Sequence, residues 1–468
     1  MIARQFVFAL FVSATVYLGT GVAADWPGFR GPHGSGVSDE KDLRLPNGKE
    51  SVLWKVKLPG PGASGPIVVG DRLFVTCYTG YGTSISSFGK GGMAKGGFGP
   101  GGFGPGGFGR GGFKKGFGKP DPAELAEQKK LRLVLICADA KKGGAIWQKD
   151  IEPKLPEQVF GFMIREHGYA TSTPASDGER VCVFFGKTGV LAFDLEGKQL
   201  WHADVGSGLN FFGTAASPML YKDLVIVNAG IESGALIGLD RKSGKEVWRT
   251  NKIGASWGSP VLVETEDGKH EVVLSLPGKV AGFDPLTGKE LWHCQGIKVG
   301  GFAGYGGTYS SPAAQHGIVY VSGGGGPSGP PVALAVRAGG QGDVDSSHVV
   351  WRQKAGTSYT SPVVLGDHVY FVDGTVQCLR ADTGKPVYKE RLYDSRSEYV
   401  SPVIAGDKLV VLTRFDGLFV LAAGKEFQQL ASHEFTGDKS IFNACPAIAN
   451  GQIYARSNEY LYCIGKTR

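Results

Sequence analysis

The sequence predicts an all-β fold, an eight-bladed β-propeller, on three observations. First, a small residue followed by Pro and a short apolar strand recurs at Pro66, Pro174, Pro218, Pro260, Pro312, Pro362, Pro402 and Pro446. The intervals are 108, 44, 42, 52, 50, 40 and 44 residues, and a period in the forties marks a repeat architecture. Second, a turn built on Asp and Gly-Lys, leading to a Trp strand, recurs in step with the prolines. Third, the last repeat lacks its Trp strand, while an orphan Trp strand at 51–58 precedes the first repeat.

Residues 255–295 give the clearest single repeat. Ser259-Pro260 opens a strand at 261–264, and Asp267-Gly268 turns into a second at 271–276. Pro277-Gly278 leads to a third at 279–283, and the turn from Asp284 to Lys289 leads to a fourth at 290–293 around Trp292. Short apolar strands joined by Gly, Asp and Pro turns read as one antiparallel sheet. Such a sheet cannot bury both faces alone, whereas sheets stacked around an axis can.

The Trp strands of the other repeats centre on Trp147, Trp201, Trp248 and Trp351, and Trp54 stands on the orphan strand. Each indole offers a large flat surface for docking the neighbouring blade. Tyr388 takes the slot in the sixth copy, and the seventh, after Gly424-Lys425, has lost the aromatic. If strand 51–58 completes the last blade, the ring closes without an exposed edge. Seven blades is the alternative, should the degenerate seventh copy not be a true blade.

The recurring Asp-x-x-[Thr/Ser]-Gly-Lys-x-x-Trp, as at Asp240 to Trp248 and Asp284 to Trp292, resembles the pyrroloquinoline-quinone (PQQ) repeat. That repeat builds quinoprotein alcohol dehydrogenases and the propeller lipoproteins that assist outer-membrane protein assembly. The resemblance covers nearly all of 51–468 outside one insertion. It implies the propeller fold strongly and an activity weakly, because the motif docks blades and one fold hosts many functions.

Composition narrows the rest. Arg4, an apolar run at 6–18 and Val22-Ala23-Ala24 read as a cleaved signal over residues 1–24, which predicts a periplasmic or extracellular protein. An uncleaved anchor is the alternative; no other stretch is apolar enough to span a bilayer, and the first cysteine, Cys77, excludes an N-terminal lipid attachment. The formal charge of +7 is accounted for by Arg4 and the six cations of the tract 89–119. The folded body is therefore near neutral, which argues against specific nucleic-acid binding. Cys137, Cys378 and Cys463 share the third-strand slot held elsewhere by Ala192, Gly238 and Gly282, and read as small core residues rather than disulfide partners.

Two segments fall outside the repeats. Residues 25–50 form an N-terminal extension, expected to pack across the propeller on its outside. A basic Gly/Phe-rich insertion at about 81–130 interrupts the first blade between its second and third strands. Phe98, Phe103, Phe108 and Phe113 recur in it every five residues. At this glycine density a packed core is excluded and disorder is expected, with a short helix at 122–132 returning the chain to the sheet.

Strands alternate in direction from the axis outward. The loops before each Pro strand and the turns between strands two and three therefore share one face, and the Asp-Gly-Lys turns lie on the other. The first face carries the candidate funnel residues Tyr169, Lys187, Phe212, Trp257, Tyr309, Tyr359, Tyr399, Arg414, Asn443 and Arg456. An aromatic funnel with cations suits a planar anion or an extended peptide; equally, the aromatics could plug the channel. No histidine cluster has metal-ligand spacing and no nucleophile motif is present.

The expectation is an exported, non-catalytic propeller that binds protein or a cell-envelope polymer, without cofactor, and monomeric by default. The alternative is a PQQ- and calcium-dependent dehydrogenase acting on an alcohol or sugar. Against it stands the lack of the adjacent cysteine pair that the resemblance would imply beside the quinone. A third reading, a polysaccharide-acting enzyme using Glu166 or Glu398, has no motif behind it.

Overall fold

A computed structural model of the chain describes residues 25–38, 40–46, 51–84, 122–160, 166–297, 309–325, 329–394 and 398–466. The expected signal at 1–24 and the core of the Gly/Phe-rich tract, 85–121, lie outside the described residues.

Eight sheets of at least four strands follow one another along the chain. We number them blades 1 to 8 in the order of their Pro strands. Blade 4 contains Val261–Glu264, His270–Leu276, Lys279–Phe283 and Glu290–Gln295, close to the bounds read from the sequence. The seventh copy is a full blade, ending in Gln429–His433, so the propeller has eight blades and not seven. Its Trp slot holds Ala431, paired with Val420.

Ring closure is by the N-terminal strand. Val52–Lys57 pairs antiparallel with Tyr460–Ile464, with Trp54 opposite Cys463. Trp54 then reaches into blade 1, where its Nε1 donates to the Ala140 carbonyl (3.1 Å). Equivalent bonds run from Trp147 to the Leu195 carbonyl (2.8 Å), from Trp201 to Arg241 (3.0 Å) and from Trp351 to Ala381 (2.9 Å). Each Trp thus belongs to one blade and caps the Asp turn of the next.

Two small-residue requirements follow. The turn glycine lies under the neighbour's indole: a Cβ on Gly143 would sit 2.6 Å from the Trp54 ring, and one on Gly288 2.3 Å from Trp248. The third-strand residue opposite each Trp is covered by the same ring, so that slot holds Cys137, Ala192, Gly238, Gly282 or Cys463. All seven cysteines are free, each a small core or wall residue.

Blade 4 departs from the pattern. The connection in blade 5 is longer and lays Gly342–Asp343 alongside the Trp strand as a fifth, parallel strand. Trp292, fully buried, donates instead to Glu271 Oε2 of its own blade (2.6 Å), which also accepts the Gly339 N–H (3.2 Å). This explains why the copy at Trp351 looked loose in the sequence.

A second belt encircles the axis. The N–H of the residue before each Pro donates to the side chain of its counterpart in the next blade. The bonds run Gly65 to Thr173 Oγ1 (2.8 Å), Thr173 to Ser217 Oγ (3.0 Å), Ser217 to Ser259 (2.9 Å) and Ser259 to Ser311 (2.9 Å). They continue from Ser311 to Ser361 (2.9 Å) and from Ser361 to Ser401 (2.8 Å). Ser401 directs both its N–H and its hydroxyl at the Cys445 thiol. Pro has no N–H and holds the preceding residue extended, which suits the innermost strand edge where no further strand can pair.

The helix Pro122–Gln128 is shorter than expected, because Arg132 already pairs with Thr79 in blade 1. Gln128 anchors it, donating to the Glu157 carbonyl and accepting the Glu157 N–H, both at 2.9 Å.

Residues 25–46 do cross the propeller, but over the end of the axial channel rather than on the outer rim. Trp26 exchanges both backbone bonds with Val68 of blade 1, and Ser176 of blade 2 donates to the Pro27 carbonyl. Ser35 Oγ bonds Ala314 of blade 5, Val37–Ser38 pairs with Ile404–Ala405 of blade 7, and Arg44 N–H reaches Gly451 of blade 8. The innermost strands present unpaired backbone groups and apolar side chains at that mouth, so burying Trp26 there satisfies both.

Candidate functional site

The face opposite that plug carries the funnel. Its aromatic residues touch in sequence around the ring: Phe212 with Trp257 (centroids 5.7 Å apart), Trp257 with Tyr309 (5.3 Å), Tyr309 with Tyr359 (5.5 Å) and Tyr359 with Tyr399 (5.2 Å). They lie on the loops entering blades 3 to 7, and 3.6- or 2-residue periodicity plays no part in bringing them together. Trp257 is buried, its Nε1 donating to the Gly213 carbonyl at 2.8 Å, whereas Tyr359 stands 44% exposed at the surface.

The arc ends on a buried charged cluster. The Arg414 guanidinium lies over the Tyr399 ring, 4.3 Å from its centroid. Its Nη2 pairs with Glu166 and its Nε donates to Asn443 Oδ1 (2.9 Å), while Asn443 Nδ2 donates to the Glu166 carbonyl (3.2 Å). Glu398 accepts four donors: the N–H groups of Tyr399 and Val400 on Oε1, and Tyr393 Oη–H and the Arg414 N–H on Oε2. Burial nevertheless pushes its carboxyl up to about 7. The adjacent His167 is lowered to about 4 by burial and by Arg414, so it is a neutral ring against Tyr399.

The remaining candidates sit elsewhere. Arg456 is 1% exposed and bridges blades 8 and 1, its Nη1 donating to the Thr76 carbonyl (2.7 Å) and Ser64 Oγ (3.2 Å). Tyr169 packs on Tyr78 and Phe160 and donates to the Gln158 carbonyl (2.6 Å). Lys187, on the inner turn of blade 2, donates to the Pro156 carbonyl (2.7 Å). Near it, a cavity of about 40 Å³ is lined by Glu157, Tyr169, Asn210 and Thr214 among others, room for one or two waters. Burial raises Glu157 and Glu232 beside it to about 7 each.

Sequence reasoning therefore brings Phe212, Trp257, Tyr309, Tyr359, Tyr399, Arg414 and Asn443 into one continuous surface, and scatters Tyr169, Lys187 and Arg456 around it. It missed His167, Tyr393, Glu157 and Glu232, which stand in loops that no repeat places.

Comparison with known proteins follows this geometry. A family model described as outer membrane protein assembly factor BamB matches residues 132–390, more than half of the chain. The chain belongs to this family. The BamB of Burkholderia pseudomallei is 25% identical over 339 residues, covering 60% of this chain and 77% of that protein. The crystal structure of BamB from Moraxella catarrhalis aligns with a TM-score of 0.51 at 17% identity, over 71% of this chain and 91% of that one. The quinohemoprotein alcohol dehydrogenase of Comamonas testosteroni aligns with a TM-score of 0.58 at 13% identity, over 95% of this chain and 81% of that one. At these identities the structural likenesses establish the shared PQQ-repeat propeller fold.

Proposed function

We propose that this family member is an exported, non-catalytic propeller that binds a protein partner through its aromatic funnel face, in the periplasm. Its relatives are named for outer-membrane protein assembly, and a partner in that process is the most economical reading. The observation that carries the proposal is the state of the funnel's polar groups. Arg414, Glu166, Asn443, Glu398 and Arg456 spend their donors and acceptors on one another and on backbone, so the open surface is aromatic. Tyr and Trp surfaces of this kind suit protein recognition, where rigid rings bury large area at low entropic cost.

The dehydrogenase reading is less well supported. Calcium takes six to eight oxygen ligands, and Glu398, Glu166 and Asn443 are the funnel's candidate oxygen donors. The acceptor oxygens of Glu398 and Asn443, and one of Glu166, already receive N–H or O–H donors. Among the described residues no three His, Cys, Asp or Glu side chains gather in a metal-holding group. These residues do not fit a quinone–calcium pair.

The test is site-specific photo-crosslinking in the native envelope. A crosslinking residue in place of Tyr359 is expected to give one defined protein adduct, while one in place of Leu286, exposed on the opposite face, gives none. Equal labelling from both positions, or adducts from Leu286 alone, overturns the proposal.

A further inference from the structure

Arg30 is the least compensated charge in the described residues. It projects from the N-terminal plug and is 1% exposed. Its Nη2 donates to the carbonyls of Pro362 (2.5 Å), Ser35 (3.2 Å) and Pro402 (3.5 Å). Pro362 and Pro402 open the innermost strands of blades 6 and 7, and the thiol of Cys445, at the same place in blade 8, is the titratable group that Arg30 feels. The guanidinium therefore stands among the inner strands, in the axial channel.

Its Nε and Nη1 are buried and have no hydrogen-bond partner. Burial lowers the group to about 10, so it is still charged at neutral pH. No described carboxylate pairs with it. A buried cation with free N–H groups and no counterion is costly, by several kcal/mol per ion in typical proteins. Backbone carbonyls on one nitrogen offset part of that cost and leave the charge itself uncancelled. The Cys445 thiol does not cancel it either, because its own burial raises it above the usual thiol range.

We propose that the axial channel holds a small inorganic anion, of the halide class, against Arg30 Nε and Nη1, and that this anion fastens the plug to the propeller. Arg supplies two parallel N–H donors on one edge, the geometry that an anion accepts from. The anion then becomes part of the interface between residues 25–46 and the inner strands of blades 6 to 8.

Bromide is the probe. Crystals of the full mature chain grown in sodium bromide are expected to give an anomalous peak within about 3.5 Å of Arg30 Nε or Nη1. In solution, replacing gluconate by bromide at equal ionic strength is expected to raise the melting temperature by about 1–3 °C in the native protein and not in Arg30→Met. Ordered water without anomalous signal at that position overturns the proposal, as does an equal bromide effect in both proteins. If Arg30→Met fails to fold, the diffraction result decides alone. A thiolate absorbance at neutral pH that Cys445→Ser abolishes would make the sulfur the counterion, and the proposal would fall.

Discussion

The two faces of the propeller are built on opposite principles. On the Asp-turn face, one joint is repeated: an indole from one blade lies over a glycine turn of the next and bonds its backbone. On the funnel face no two loops are alike, and neighbouring blades meet through a chain of different rings ending in a buried charged cluster. Repetition suits a ring that must close, because each interface then solves the same packing problem. Irregularity suits recognition, because partner selection needs a surface unlike its neighbours. The axial hydroxyl belt belongs with the first principle, although its residues point toward the second face.

The comparison can be broken first at Trp292. Trp292→Ala removes a fully buried indole and strands Glu271 Oε2, and is expected to cost about 3–5 kcal/mol. Urea denaturation measures this; a loss below about 1 kcal/mol would mean that the Trp joints do not hold the ring. On the funnel side, Arg414→Met leaves Glu166 buried beside an apolar chain and is expected to cost about 3 kcal/mol. The double variant Arg414→Met, Glu166→Gln should recover much of it, since no uncompensated charge remains. Additive losses would instead show that the pair contributes nothing jointly.

Smaller effects sharpen the contrast. Ser311→Ala leaves the Ser259 N–H without its acceptor and is expected to cost about 1–2 kcal/mol, read as a shift in the urea midpoint. Glu232 has a buried, unpartnered Oε2, and its carboxyl is raised to about 7. The folded protein therefore holds that proton more tightly than the unfolded chain, so stability falls as pH rises from about 4.5 to 7 and levels off above. Glu232→Gln should flatten that fall; an unchanged slope would assign it to other groups. Tyr359→Ala, at an exposed site, should move stability by less than about 0.5 kcal/mol while weakening partner capture several-fold.

What could be read in the sequence divides along the same line. The blades, their strand bounds and the closing strand were legible because Ser-Pro and Asp-Gly-Lys-Trp recur in register, and each recurrence checks the others. The serine hydroxyl ring was spelled out in the same letters, yet its role needed the angle between adjacent blades, which no single repeat contains. The fifth strand at Gly342–Asp343 was hidden because it is part of blade 5's connection and pairs with blade 4. In the funnel the aromatic arc was visible, because loop positions follow from strand direction. The pairing of Arg414 with Glu166 was not, since 248 residues separate them and neither lies in a repeat. Arg30 was equally illegible: nothing in Trp26 to Gly36 says that the segment turns over the channel mouth.

The central claim is that the funnel is a recognition surface whose polar groups are already committed to one another. Titrating the purified chain with PQQ and calcium in a calorimeter, alongside dye-linked alcohol oxidation, tests it most directly. The account predicts no binding heat and no turnover, while micromolar binding with turnover would contradict it.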